Sequence, residues 1–282
     1  MTSLKNADIY TVDPYIAMDM IARTPWEHYV APYEVVSGVY SVSGVEWVSS
    51  YLIDSGDGLI LIDTGLHESV YLLIDSIYRL GFQLSDIKII LLSHMHSDHA
   101  NGARALVELT NAKLYLGKRD IPLLNNKKLM YCSQYYTYGN LQPTNFYESE
   151  NKISLGNVQI EAVPTPGHTP GTTSFFFNIT DKTHGQLSVG LHGGLGLNTM
   201  TRDYLQNAGF PITLRNEYQS SLRELDRRTV DVSLISHNGH YNMIELLPQK
   251  TDTFNPFINR MVWHDLMKKY QIAIKDLIDS GN

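Results

Sequence analysis

The sequence predicts an α/β fold in which two β-sheets pack together with helices outside them, as one domain over residues 1–282. Three features point there. Strand-like runs cluster in two parts of the chain, around 39–62 and 158–189, and each part passes into segments with helical spacing. Between them, Ile87 to Leu92 is almost wholly apolar, the pattern of a strand covered on both faces.

Residues 1–38 read as an irregular N-terminal extension, because Pro14, Pro25 and Pro32 punctuate aromatic and acidic residues. Strands are expected at Val39–Val42, Val48–Ile53 and Leu59–Ile62, the last two separated by the turn Asp54-Ser55-Gly56-Asp57-Gly58. Val70, Leu73, Ile74, Ile77 and Leu80 fall at helical spacing, and Gly81 stops that helix. After the strand Ile87–Leu92, Asn101–Leu109 reads as a helix and Lys113–Leu116 as a strand. From about 118 to 150 periodicity is lost. That length, with Tyr131, Tyr135, Tyr136 and Tyr138 in it, predicts a binding loop bordering a cleft. Strands return at Val158–Val163, Thr172–Ile179 and Leu187–Val189. A helix at Glu217–Arg227, a strand at Val230–Ile235 and a C-terminal helix over 256–278 complete the chain.

Hydrophobic residues at 43% and charged residues at 18% fit a folded globular protein. A net charge of −7, with no Lys/Arg run longer than a pair, speaks against a nucleic-acid partner. Cys132 stands alone, which excludes an intramolecular disulfide and a cysteine-cluster metal site. Met1–Asp8 lacks the basic start and apolar core of a signal peptide, and no apolar stretch approaches the ~20 residues that span a bilayer. The expectation is a soluble, cytoplasmic protein with a small-molecule substrate and no membrane partner; the sequence leaves its oligomeric state open.

The chemistry concentrates in His94-Met95-His96-Ser97-Asp98-His99, directly after the apolar strand, where α/β folds place functional loops. His94 and His96 can point to one side of an extended backbone, because side chains alternate with period two. Asp98 and His99 lie past the turn and can face a neighbouring point, so one short loop can serve two metals about 3.5–4 Å apart.

This segment resembles the HxHxDH signature of the metallo-β-lactamase superfamily. Leu61-Ile62-Asp63-Thr64-Gly65, Pro166-Gly167-His168-Thr169-Pro170-Gly171 and Ile235-Ser236-His237 fall in the family's order, so the likeness covers roughly Val39 to Tyr241. The resemblance implies a four-layer αββα sandwich with metals in a cleft at one edge of the sheets. It implies a first metal on His94, His96 and His168, leaving a position open for water as in catalytic sites. It implies a second on Asp98, His99 and His237, with Asp98 as the candidate catalytic residue. Two divalent ions are expected, zinc first and iron or manganese as alternatives, with hydroxide as nucleophile. Asp63 looks like the carboxylate behind the metal loop, or it is an ordinary turn residue before Gly65.

One departure is informative. Most hydrolases of the superfamily carry a bridging Asp where this chain reads Ser188-Val189-Gly190-Leu191-His192-Gly193-Gly194-Leu195-Gly196. Its absence favours likeness to the β-lactamase branch with an Asp-His-His second site; Cys132 precedes His168 and is out of order for the branch that uses a Cys ligand. His192 could replace that Asp, contact substrate or be a polar turn residue, and His240 could compete with His237. The expected activity is hydrolysis of a small cyclic amide or ester, with a β-lactam as one form of it. A di-iron redox enzyme and a non-catalytic metal-binding homologue on the same fold are the alternatives.

Overall fold

The computed structural model describes residues 9–282 with the exception of 11, 126–140, 144 and 148–151. In chain order the elements are α1 (Pro14–Arg23), β1 (Tyr33–Val36), β2 (Val39–Ser41), β3 (Tyr51–Asp54), β4 (Leu59–Ile62), α2 (Val70–Arg79), β5 (Ile87–Leu91), α3 (Ser97–Ala100), α4 (Ala103–Thr110) and β6 (Lys113–Leu116). They continue with α5 (Ile121–Asn125), β7 (Asn145–Phe146), β8 (Lys152–Leu155), β9 (Val158–Pro164), β10 (Thr173–Asp181), β11 (Gly185–Leu191), α6 (Arg202–Ala208), α7 (Leu214–Leu225), β12 (Val232–Leu234), α8 (Met243–Leu246) and α9 (Arg260–Asp279).

Strands β1 to β7 form one sheet in sequence order, antiparallel as far as β4 and parallel from β4 to β7. The other sheet runs β12-β11-β10-β9-β8, with β11 and β12 parallel. Period-two alternation divides the side chains of the first sheet between two cores. Ile60, Ile62, Ile89 and Leu91 turn inward to meet Ile160, Phe175, Phe177 and Val189 of the second sheet. Leu59, Leu61, Ile90 and Leu92 turn outward to meet Leu73, Ile77, Ala103 and Leu106 on α2 and α4. On the far side, Phe176 meets Trp263 of α9 edge to face at 5.3 Å. The layers are therefore α, β, β, α, as the resemblance implied.

The N-terminal extension differs from its sequence reading. Residues 14–23 form a helix, a 3₁₀ turn follows at Pro25–His28, and Tyr33–Val36 is an edge strand. The prolines mark starts here, not breaks. Asp13 caps α1 by accepting the Tyr15 amide at 2.8 Å, and Pro14 occupies the first helical position, where no N–H is needed. Ala17, Met18 and Ile21 then bury one face against Val45, Val48, Leu66 and Leu72. At the other end, α9 begins at Arg260 and not at 256, because Asn259 caps it through the Met261 amide. Strand β8 was not read from the sequence, because its polar–apolar alternation runs over four residues only.

Candidate metal centre

Strand β5 ends at Leu91, and the next residues turn across the edge of the first sheet. Thr173 at the start of β10 donates its amide to the Ser93 carbonyl at 2.9 Å, which brings the His94–His96 loop against the loop bearing His168. His237 arrives from β12. The chain beyond that strand pairs with residues 47–49, through Ser49 N–H to Ser236 O at 2.9 Å and Asn238 N–H to Trp47 O at 3.1 Å.

Two groups of side chains converge as a result, His94 with His96 and His168, and Asp98 with His99 and His237; within each group the donor atoms lie within 4.8 Å of one another. His96 Nδ1 and His168 Nε2 are 2.9 Å apart, and His99 Nε2 and His237 Nε2 are 3.0 Å apart. Asp98 Oδ2 stands 3.4 Å from His99 Nε2 and 3.3 Å from His237 Nε2. Two ligands of one tetrahedral zinc, each about 2.05 Å from it, sit about 3.3 Å apart, so these spacings fit ions of that size.

Protonation fits as well. His168 Nδ1 faces the Gly196 carbonyl at 2.7 Å and His99 Nδ1 faces Asp63 Oδ2 at 2.8 Å. Each ring therefore carries its proton on Nδ1 and turns a lone pair on Nε2 toward its partner histidine. The Nε2 atom of His94 is buried with no hydrogen-bond partner among the described residues. Burial holds His94 and His96 well below the usual histidine range, and takes His168 down to about 4. Burial also lowers His237, whereas His99 is raised because Asp98 and Asp63 outweigh its own burial. For Asp98, burial pushes the carboxyl up, but His99 and His237 together hold it well below the carboxylate range. Neutral imidazoles and an ionised carboxylate are the forms that bind metal, and of the five histidines His99 alone is shifted toward its charged form, by the two carboxylates beside it. The donor set fits two divalent ions.

Two carboxylates hold these loops. Asp63 is buried at φ 59°, a conformation that non-glycine residues rarely adopt. It accepts the Ser93 amide and hydroxyl, both at 2.7 Å, as well as His99 Nδ1, so it joins the end of β4 to both ends of the metal loop. Asp120 was not singled out by its sequence context. Fully buried, it accepts the Met95 amide at 3.0 Å, the Thr169 hydroxyl at 2.8 Å and the Gly171 amide at 2.6 Å. Burial raises its carboxyl to about 6 despite these donors. Its signal was positional: a carboxylate just past the end of a parallel strand, as Asp63 is past β4.

His192 joins neither ligand group. It is buried, accepts the Gly194 amide at 3.1 Å through Nδ1, and is lowered to about 3 by burial and then by His168. His240 lines the cavity with its ring 5.5 Å from that of His237, and it too lies outside both groups. Tyr131, Tyr135, Tyr136, Tyr138 and Cys132 lie outside the described residues. The two groups open into a cavity of about 150 Å³. Trp47 lines it and packs on the His237 ring at 4.7 Å. Tyr10, Val12, Pro14 and Met18 of the N-terminal segment line it also, a contact that an irregular extension did not predict.

Among the described residues no helix is long and apolar enough to cross a membrane. A family model described as the metallo-beta-lactamase superfamily matches residues 44–181, which includes every candidate ligand except His237. The Bacillus subtilis protein YobT is 30% identical over 161 residues, 54% of this chain and 66% of that one. The probable metallo-hydrolase YybB of the same organism is 24% identical over 135 residues, 47% of this chain and 57% of that one. The chain thus spans less than two thirds of the length of these curated relatives. Among solved structures, BJP-1, a subclass B3 metallo-beta-lactamase of Bradyrhizobium japonicum, superposes with a TM-score of 0.83 at 26% identity over 92% of this chain and 97% of that one. The chain thus resembles the metallo-β-lactamase superfamily over residues 44–181, shares its four-layer fold with BJP-1, and carries side chains that fit a dinuclear metal centre.

Proposed function

We propose that the protein hydrolyses a small cyclic amide or ester at two zinc ions, one held by His94, His96 and His168 and the other by Asp98, His99 and His237. The observation that carries this reading is the pair of ligand groups at one cavity, which five of the six side chains line. Two ions bound there would polarise a carbonyl and lower the pKa of water to about 7. The side chains do the rest. The Gly196 carbonyl fixes the tautomer of His168, Asp63 fixes that of His99, and Asp120 ties the two loops of the first site together. Asp98 is the one anion among the six ligands and the candidate catalytic carboxylate, placed to orient an attacking water by accepting its hydrogen bond. A β-lactam is one form of the substrate, supported by the likeness to BJP-1.

The test begins with metal content, which should reach two ions per chain. A chromogenic cephalosporin, an acyl lactone and bis-p-nitrophenyl phosphate are then assayed side by side with the metal-loaded protein. Turnover of the lactam or the lactone is expected. If only the phosphodiester turned over, and His96→Ala abolished that turnover, the substrate reading would fail while the metal reading survived.

A further inference from the structure

Away from the metal edge, a cleft of about 370 Å³ opens between the two sheets, where β5 and β6 face β8. The parallel strands β5 and β6 begin at this end, and the ligand loop follows the other end of β5, so the cleft and the metal groups lie at opposite rims. Its floor is apolar, made of the buried Ile89 and Ile153 and the half-buried Tyr115 and Leu155. Its mouth carries the exposed Lys88, Lys113 and Lys152. We propose that this cleft binds a medium-chain carboxylate, an alkyl chain of about eight carbons ending in one anion. The inference stands apart from the hydrolase reading above.

Edge protection accounts for only part of this charge. Lysine on an edge strand discourages pairing with another chain, a role open to Lys152 on β8. Strands β5 and β6 are interior to their sheet, so Lys88 and Lys113 guard no edge. Three ammonium groups at one mouth also run against the chain's net charge of −7. A concave mouth lined by one sign of charge over apolar walls raises the local concentration of the opposite ion. An inorganic anion would meet the amines and leave the floor unused, whereas an alkyl carboxylate meets both. The site is also partly built before a ligand arrives. Lys88 donates to the Ser85 carbonyl at 2.7 Å, and its stem passes so close to Gly58 that a Cβ there would stand 2.7 Å from the Lys88 Cγ. An ammonium has three N–H donors, so Lys88 keeps two for a ligand. Within the floor, the Tyr115 ring is stacked on Tyr147 at 6.1 Å.

Calorimetric titration of the zinc-loaded full chain tests this with four probes: hexanoate, octanoate, 1-octanol and inorganic phosphate. Octanoate should bind saturably, and more tightly than hexanoate by up to about fourfold per methylene. The uncharged 1-octanol should bind at least ~3-fold more weakly than octanoate, and phosphate more weakly still. Reversing two charges in Lys113→Glu/Lys152→Glu, both at exposed positions, should weaken octanoate at least ~4-fold and leave 1-octanol unchanged. Leu155→Ala should weaken octanoate and 1-octanol alike. The lysine variant also separates this site from the metals, because a carboxylate bound at the far rim would keep its affinity. Octanoate that binds the lysine variant as tightly as the wild type, phosphate that binds as tightly as octanoate, or no saturable binding of octanoate would each overturn the site.

Discussion

Asp120 accepts a hydrogen bond at 3.0 Å from the amide of Met95, the residue between His94 and His96. The same carboxylate takes the Thr169 hydroxyl, one residue past His168, so a single side chain sets the distance between the loops that hold the first ligand group. Asp120→Asn keeps the shape but loses an acceptor. It should weaken the three-histidine site about 10- to 100-fold, the usual effect of removing a partner behind metal ligands. The Asp98-His99-His237 site should change far less. Chelator competition and the visible spectrum of the cobalt-substituted protein would separate the two sites; equal loss at both would mark Asp120 as general scaffolding.

His237→Ala should release one ion and leave the other, lowering stoichiometry from two to one. His240→Ala should leave both in place, because His240 lies outside the converging groups. Metal analysis after gel filtration reads both outcomes. If His237→Ala kept two ions while His240→Ala lost one, the last ligand would be misassigned.

Gly117 allows a close backbone approach: a Cβ there would stand 2.0 Å from the Gly171 carbonyl oxygen, beside the Asp120 contact. Gly117→Ala should therefore destabilise the fold by at least ~1–3 kcal/mol, the range for overpacking. Gly185→Ala offers a contrast, with φ +75° but no neighbour within 4 Å, and should cost only the left-handed conformation, about 1–2 kcal/mol. A Gly117→Ala variant that melts with the wild type would contradict the crowding at Gly117.

Asp181 gives a pH signature away from the metals. Burial alone would raise its carboxyl, but the Ser37 amide and then the His184 and Thr183 donors outweigh it and depress it well below the usual range. A depressed folded value means stability that is present above the unfolded pKa of about 3.9 and lost as pH falls through the folded one. The urea-midpoint gap between the wild type and Asp181→Asn should be wide at about pH 6 and narrow steadily below about pH 4. A gap constant across that range would refute the linkage.

Much of the site was legible because its residues carry their own pattern. His94, His96, Asp98 and His99 follow one apolar strand, and His168 and His237 sit in loops bounded by recognisable residues. Helix α2 was equally plain, since Leu73 and Ile77 repeat at helical spacing over a buried face. What stayed hidden depends on contacts distant in sequence. Asp120 acquires its role only when residues 95, 169 and 171 surround it. Helix α1 stays hidden because Pro14 reads as an interruption, although a proline after Asp13 is also a helix start; only burial of Met18 and Ile21 against residues 45–72 decides between the two. The predicted Asn101–Leu109 helix is found as α4, starting at Ala103 after Gly102, where a Cβ would stand 2.3 Å from the Thr64 carbonyl oxygen, whereas the short helix α3 over the metal loop was not read from the sequence.

Each ligand group draws on both sheets: His94, His96, Asp98 and His99 follow β5, His168 lies between β9 and β10, and His237 follows β12. At that edge the sheets face each other across imidazoles and not across interlocked leucines, so an ion would act there as a clasp. Folding and metal uptake are then thermodynamically linked. The native state should gain RT ln(1 + [M]/Kd) for each site, about 2.7 kcal/mol once free metal exceeds Kd a hundredfold. A chelated chain should consequently begin to part at this rim, with amide exchange accelerating in β12 and around residues 92–96 while the apolar centre between the sheets stays protected.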